Sequence, residues 1–135
     1  AIGAYDAVLQ IAPDDIATHN NKGNALGRLG ELQATCSDHD GAMESYQRAI
    51  ATHETALRLA PDYPQIHNNK GGTQALLGVL QMTLAQPERA LESWEAALAA
   101  FSRSLEIAPN DGRVCDARDA VQAKVDALQA ASEEL

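Results

Sequence analysis

The chain has 135 residues, a formal net charge of −9 and a hydrophobic fraction of 45% that contains few aromatic residues. A surface this negative repels phosphate backbones and anionic lipids, and we therefore expect no nucleic-acid partner and no membrane partner. No apolar run approaches the roughly 20 residues of a membrane span. Cys36 and Cys115 match no metal or redox spacing, and two unpaired thiols indicate a reducing compartment. We therefore expect a cytoplasmic protein with no cofactor and no metal.

Prolines divide the chain into helical segments. Apolar side chains fall on one stripe over residues 1–12, and Pro13 ends that helix because proline lacks an amide hydrogen and collides with the preceding turn. Pro61 and Pro109 repeat the stop, and aspartates just after each proline can cap the next helix. The remaining stripes predict helices at about 16–35, 41–60, 63–85, 87–108 and 112–134.

The stripes also predict which side chains face inward. In the 16–35 helix the inward residues are His19, Gly23, Leu26, Leu29 and Leu32. The last helix has apolar residues on one stripe and charges elsewhere, which is typical of a helix that caps an array with one dry face and one wet face.

One five-residue word recurs at a fixed distance. His19-Asn20-Asn21-Lys22-Gly23 returns 48 positions later as His67-Asn68-Asn69-Lys70-Gly71, and the prolines at 13, 61 and 109 keep the same step. We call this step the repeat period. A shared period across several anchors indicates a repeat array. We therefore divide the chain into a half unit (1–13), two units (14–61 and 62–109) and a C-terminal capping helix (110–135).

The recurring residues resemble the tetratricopeptide repeat pattern, W-x2-L-G-x2-Y, then A-x3-F, then P. The first unit supplies His19, Lys22, Gly23, Leu26, Ala42, Tyr46 and Pro61, and the second supplies His67, Lys70, Gly71, Gln74, Ala90, Trp94 and Pro109. The period of that family is about 34 residues, so each of the two arms is longer here by about seven. The resemblance implies an all-α, right-handed α-solenoid of antiparallel helical hairpins with elongated helices, in which Gly23 and Gly71 approach the Ala42 or Ala90 side of the partner arm.

The resemblance also implies a binding surface on the concave side. Some family members hold the C-terminal carboxylate of a partner between two asparagines and several cations. Asn24, Asn69 and Arg113 match three positions of that clamp, but Asn20 and Ala117 replace two of its cations. A carboxylate is held weakly without charge-assisted donors, so recognition of an extended or helical peptide by polar side chains is favoured.

The candidate partner-binding residues are the amides and cations of this surface: Asn20, Asn21, Asn24, Arg28, Asn68, Asn69, Lys70 and Arg113. The resemblance implies a scaffold or adaptor that binds a protein or peptide, and no enzyme. His19 and His67 are interpreted as packing positions, and His39 between Asp38 and Asp40 is interpreted as part of a solvated turn.

Two alternatives stay open. The array can be a non-catalytic segment of a larger enzyme, such as a glycosyl- or sulfotransferase, or a self-assembly module. The chain begins without methionine and in mid-pattern, as a piece of a longer protein would. Residues 1–12 look like a second arm whose first arm is absent, so their apolar side chains are expected to be incompletely covered and to favour a homodimer through this half unit.

Overall fold

The computed structural model describes residues 1–134. That range is all-α, with six helices: α1 (Ile2–Ile11), α2 (Ile16–Thr35), α3 (His39–Leu59), α4 (Pro64–Thr83), α5 (Pro87–Ile107) and α6 (Gly112–Glu133). Each helix begins and ends within two residues of the bounds that the sequence predicts. Within the described range, none of the helices combines the length and the hydrophobicity that a membrane span requires.

Aspartates and prolines define where the helices begin. Asp15, Asp38 and Asp111 cap α2, α3 and α6, and each accepts a hydrogen bond from a backbone N–H of the first turn. Pro64 and Pro87 occupy the starts of α4 and α5, where the missing amide hydrogen of proline would have had no partner. Capping aspartates and prolines thus mark the starts of α2 to α6.

The two hairpin turns have the same backbone conformation. Ser37 and Ala85 lie one repeat period apart and both adopt a left-handed conformation, with φ of 63° and 57°. In each turn the next amide bonds back into the first arm, from Asp38 N to Gln33 O and from Gln86 N to Gln81 O, both at 2.8 Å. These bonds supply carbonyl partners at the helix end and offset the left-handed strain of about 1–2 kcal/mol.

Glycines of each first arm lie against rings of its second arm. The four contacts are Gly23 with His53, Gly30 with Tyr46, Gly71 with Phe101 and Gly78 with Trp94. Each contact of the second unit follows its counterpart by one repeat period on both sides. The missing side chain lets the two arms approach closely enough for the rings to be buried.

The predicted partner of the first glycine is wrong in detail. Gly23 was expected on the Ala42 side of α3, but a Cβ placed on it would lie 2.6 Å from Nε2 of His53. The arms are antiparallel, so the early part of α2 meets the late part of α3. Ala42 lies near the hairpin turn and packs beside Tyr46 instead.

The helices stack as a solenoid whose first arms line the inner side. Each helix contacts its sequence neighbour, and α2, α4 and α6 also contact one another in succession. Within residues 1–134, α3 and α5 do not contact each other, and α1 does not reach α6. The first arms are therefore closer together than the second arms, which makes α2, α4 and α6 the concave side.

Apolar side chains at the open N-terminal end are uncovered. α1 contains no buried residue. Leu32, predicted to face inward, is 62% exposed, whereas Leu80 at the equivalent position of the second unit is 4% exposed. Leu80 packs on α3, while α1 is too short to cover Leu32 in the same way. The prediction for Leu32 is therefore wrong.

Candidate functional site

A groove between α2 and α4 opens on the concave side of the array. Its volume is about 500 Å³. Amides, charged side chains, glycines, one threonine and three apolar residues line it: Asn24, Gly27, Arg28, Glu31, Asn68, Asn69, Gly72, Thr73, Leu76, Phe101 and Ala117. We call this surface the amide groove.

Four of the predicted binding residues line the amide groove and a fifth adjoins it. Asn24 and Arg28 belong to α2, and Asn68 and Asn69 belong to α4. Asn69 Nδ2 donates to Asn20 Oδ1 across the two helices at 3.1 Å. This bond ties α2 to α4 directly, so Asn20 supports the rim and its carbonyl oxygen is already engaged.

Lys70 lies elsewhere. Its ammonium group is 3.8 Å from a carboxylate oxygen of Glu54 on α3, and it does not line the groove. The same pair occurs one unit earlier as Lys22 and Asp6, whose charged atoms are 2.7 Å apart. The recurring lysine therefore joins each first arm to the second arm of the preceding unit.

The last two predicted residues are also outside the groove. Asn21 is exposed and is not part of the groove lining. Arg113 is exposed in the first turn of α6, where its backbone N–H donates to the capping carboxylate of Asp111 at 3.0 Å. Of the residues that resemble a carboxylate clamp, the structure thus gathers Asn24 and Asn69 in the groove but not Arg113.

A buried histidine lies beneath Asn24. His53 Nε2 donates to Asn24 Oδ1 at 3.1 Å, which leaves the amide N–H groups of Asn24 for a ligand in the groove. Burial is the main cause that lowers the pKa of His53, to about 4. The nearby backbone of Asn20 raises this pKa, and the positive charge of Lys70 lowers it. Nδ1 is buried and no partner reaches it with hydrogen-bond geometry. His53 is consequently neutral near pH 7.

The second unit replaces this polar pair by an apolar opening. Gly72 stands one repeat period after Asn24, and Phe101 stands one period after His53. A Cβ at Gly72 would meet nothing within 4 Å, so this position opens into free space. The amide groove therefore offers the amide of Asn24 on the α2 side and unoccupied volume beside Gly72 on the α4 side.

The recurring histidines hold the helix starts. Nε2 of His19 donates to the carbonyl of Pro13 at 2.7 Å, and Nε2 of His67 donates to the carbonyl of Pro61 at 2.8 Å. Both rings are half-buried, so their role is a hydrogen bond across the loop rather than only packing. The constant spacing between proline and histidine was the signal in the sequence that could have indicated it.

The turn around His39 brings together no metal-ligand cluster. Within residues 1–134 no group of three or more histidine, cysteine, aspartate or glutamate side chains is placed to hold an ion. Asp38 is engaged as the cap of α3, and Cys36 is exposed.

Comparison with known proteins adds little to this picture. No protein-family model matches the sequence, and no curated protein matches it. Among solved structures, the chain is similar to one described as the crystal structure of MamA, with 17% identity and a TM-score of 0.23 over 99% of this chain and 90% of that chain. A superposition this poor carries no argument, so the fold rests on the helices and their contacts.

Proposed function

We propose that the protein is a non-catalytic interaction module, an elongated relative of the tetratricopeptide repeat, that binds a polypeptide segment of a partner protein in the amide groove. The observation that carries the proposal is the convergence of Asn24, Arg28, Asn68 and Asn69, from two helices, on one opening. Amide side chains pair with the N–H and C=O groups of a peptide backbone, which every sequence offers.

The apolar part of the groove supports the same function. Gly72 leaves an open notch beside the amides, and the apolar residues Leu76 and Phe101 line the same groove. Arg28 and Glu31 add one charge of each sign on the α2 wall. Specificity would then come from one apolar and one charged side chain, with the backbone held by amides.

A glycine substitution tests the proposal without removing any native contact. Gly72→Leu fills the notch, and Gly3→Leu is the matched control because both glycines are helical and neither Cβ position has a neighbour within 4 Å. The assay is selection of a displayed library of random linear peptides on each protein. Peptides should be enriched on the parent and on Gly3→Leu and lost on Gly72→Leu; equal enrichment on all three, or none on the parent, refutes the proposal.

Two of the groove asparagines also make hydrogen bonds that stabilise the fold, so substitutions there change stability as well as binding. Removing Asn24 leaves His53 Nε2 without its partner, and removing Asn69 breaks the bond to Asn20. Asn68 lines the groove, and its side chain makes no hydrogen bond among residues 1–134. Asn68→Ala should therefore weaken a selected peptide by about 2–10-fold, the equivalent of one hydrogen bond, with unchanged stability.

Self-association through α1 is a second candidate function. Val8 is 42% exposed and Ile11 is 89% exposed, and both lie on the helix that has no buried residue. Burying two such side chains against a second copy would remove apolar surface from water. Light scattering over a concentration series measures this directly, and a constant monomer mass would refute it.

A further inference from the structure

A second opening lies on the concave side, nearer the hairpin turns than the amide groove. It is an apolar recess between α2 and α4 with a volume of about 270 Å³. Mostly small or apolar residues line it, with Tyr46 at the bottom: Glu31, Ala34, Thr35, His39, Tyr46, Leu76, Val79, Leu80 and Thr83. Burial, and to a smaller degree the charge of Glu31, raises the pKa of Tyr46, so its hydroxyl stays neutral.

The same recess occurs once more between α4 and α6. Its volume is about 300 Å³, and its walls are almost entirely apolar: Met82, Trp94, Lys124, Ala127, Leu128 and Ala131. Each of these residues stands one repeat period after a residue of the first recess, in the order Ala34, Tyr46, Leu76, Val79, Leu80 and Thr83. The two recesses are thus copies of one arrangement, displaced by one unit along the array.

Large apolar side chains are left open at these recesses. Val79 is 44% exposed in the first recess, and Met82 is 39% exposed in the second. Scattered apolar residues on a surface need no explanation, but two aligned apolar hollows on the inner wall of a solenoid form a patch of the kind that binds another protein.

The spacing of the recesses selects the shape of the occupant. Successive first arms contact each other, so their axes, and hence the recesses, are about 8–10 Å apart. In an α-helix, residues seven positions apart lie on the same face and about 10.5 Å apart. In an extended chain, residues on the same face are about 6.6 or 13 Å apart. The helical spacing lies closest to this range, about 0.5 Å beyond its upper end, whereas the extended spacings lie about 1.4 Å and 3 Å outside it.

The charges at the two recesses differ in sign. Glu31 borders the first recess and Lys124 borders the second, and neither forms an ion pair within residues 1–134. A partner with a basic side chain beside its first anchor and an acidic side chain beside its second would complement both.

We propose that the two recesses together bind one amphipathic helix of a partner protein, which crosses α2, α4 and α6 and inserts apolar side chains at positions i and i+7. This surface is separate from the amide groove, although Glu31 and Leu76 border both. The module then has two parallel recognition rows, an amide row and an apolar row.

The experiment compares two displayed libraries on the whole chain. One consists of single amphipathic helices of about 18 residues with randomised surface positions, and the other of random linear peptides. The test variant is the double substitution Val79→Glu, Ala127→Glu, which places a charge in each recess. The control is Leu32→Glu, which places a single glutamate on an exposed apolar position outside both recesses.

The parent and Leu32→Glu should enrich helices with apolar residues at i and i+7, and the double variant should lose at least about tenfold in affinity for them. Lys124→Glu should change the preferred residue beside the second anchor from acidic to basic. The proposal is overturned if the selected helices have a single apolar anchor or bind the double variant equally well. It is also overturned if only linear peptides are enriched, or if nothing is enriched.

A further variant separates this proposal from the proposed function. Gly72→Leu fills the amide groove but borders neither recess, so it should leave the selected helices bound. Loss of linear peptides with retained helices would show the two rows to be independent. Circular dichroism and urea midpoints of every variant confirm that binding changes do not come from unfolding.

Discussion

Two adjacent glycines of α4 allow one contact to be isolated from helix propensity. A Cβ on Gly71 would lie 2.7 Å from Cε1 and 2.9 Å from Cδ1 of Phe101, whereas a Cβ on Gly72 would meet nothing within 4 Å. Carbon atoms in contact are normally about 3.5–4.0 Å apart, so the buried ring would have to move by roughly 1 Å. Overpacking of this kind costs about 1–3 kcal/mol.

Both substitutions to alanine gain the same helix propensity, about 1 kcal/mol. Gly72→Ala should therefore stabilise the protein by about 1 kcal/mol, while Gly71→Ala should fall below Gly72→Ala by about 1–3 kcal/mol. Urea unfolding followed by far-ultraviolet circular dichroism measures the difference. If both variants were stabilised equally, the close approach of α4 to Phe101 would be wrong.

Three further predictions concern the burial or exposure of single side chains. The folded pKa of His53, about 4, lies below the unfolded value of 6.5, so its contribution to stability is lost as pH falls between those values. Between pH 7 and pH 5 the free energy of unfolding of the parent should fall by about 2 kcal/mol more than that of His53→Phe, as measured by urea unfolding. Equal decreases in the two proteins would contradict this. Leu80→Ala should cost about 2–5 kcal/mol and Leu32→Ala less than about 0.5 kcal/mol in thermal melts; similar costs would show the two positions to be equally covered. If α1 drives self-association, Val8→Glu with Ile11→Glu should yield a monomer by light scattering where the parent is larger.

The candidate site illustrates how equivalent positions of two repeats acquire different chemistry. The first unit has Asn24 bonded to the buried His53, and the equivalent positions of the second unit are Gly72 and Phe101. In both units the arms stay in contact through the preceding glycine, Gly23 on His53 and Gly71 on Phe101, but the first unit presents amide donors and the second an open notch. A single groove between two units can therefore contact both polar and apolar groups of a ligand.

Much of the architecture was available from the sequence. Helix bounds could be predicted because proline, aspartate caps and apolar periodicity act over a few residues. The constant repeat period indicated a stacked array, since repeated anchors require repeated surroundings. The amides Asn24, Asn68 and Asn69 could be assigned to a common surface because the resemblance to the tetratricopeptide repeat implies that the first arm of each unit lines the concave side.

Only the tertiary structure decided which of those residues share an opening. Lys70 is drawn to Glu54 across the interface with the preceding second arm, and Leu32 is exposed because α1 is too short to cover it. The sequence alone does not specify either result, since the ion pair depends on how α3 packs on α4 and the exposure of Leu32 depends on how far α1 extends. The apolar recesses arise in the same way, between first arms that meet only after the chain has folded back through a hairpin.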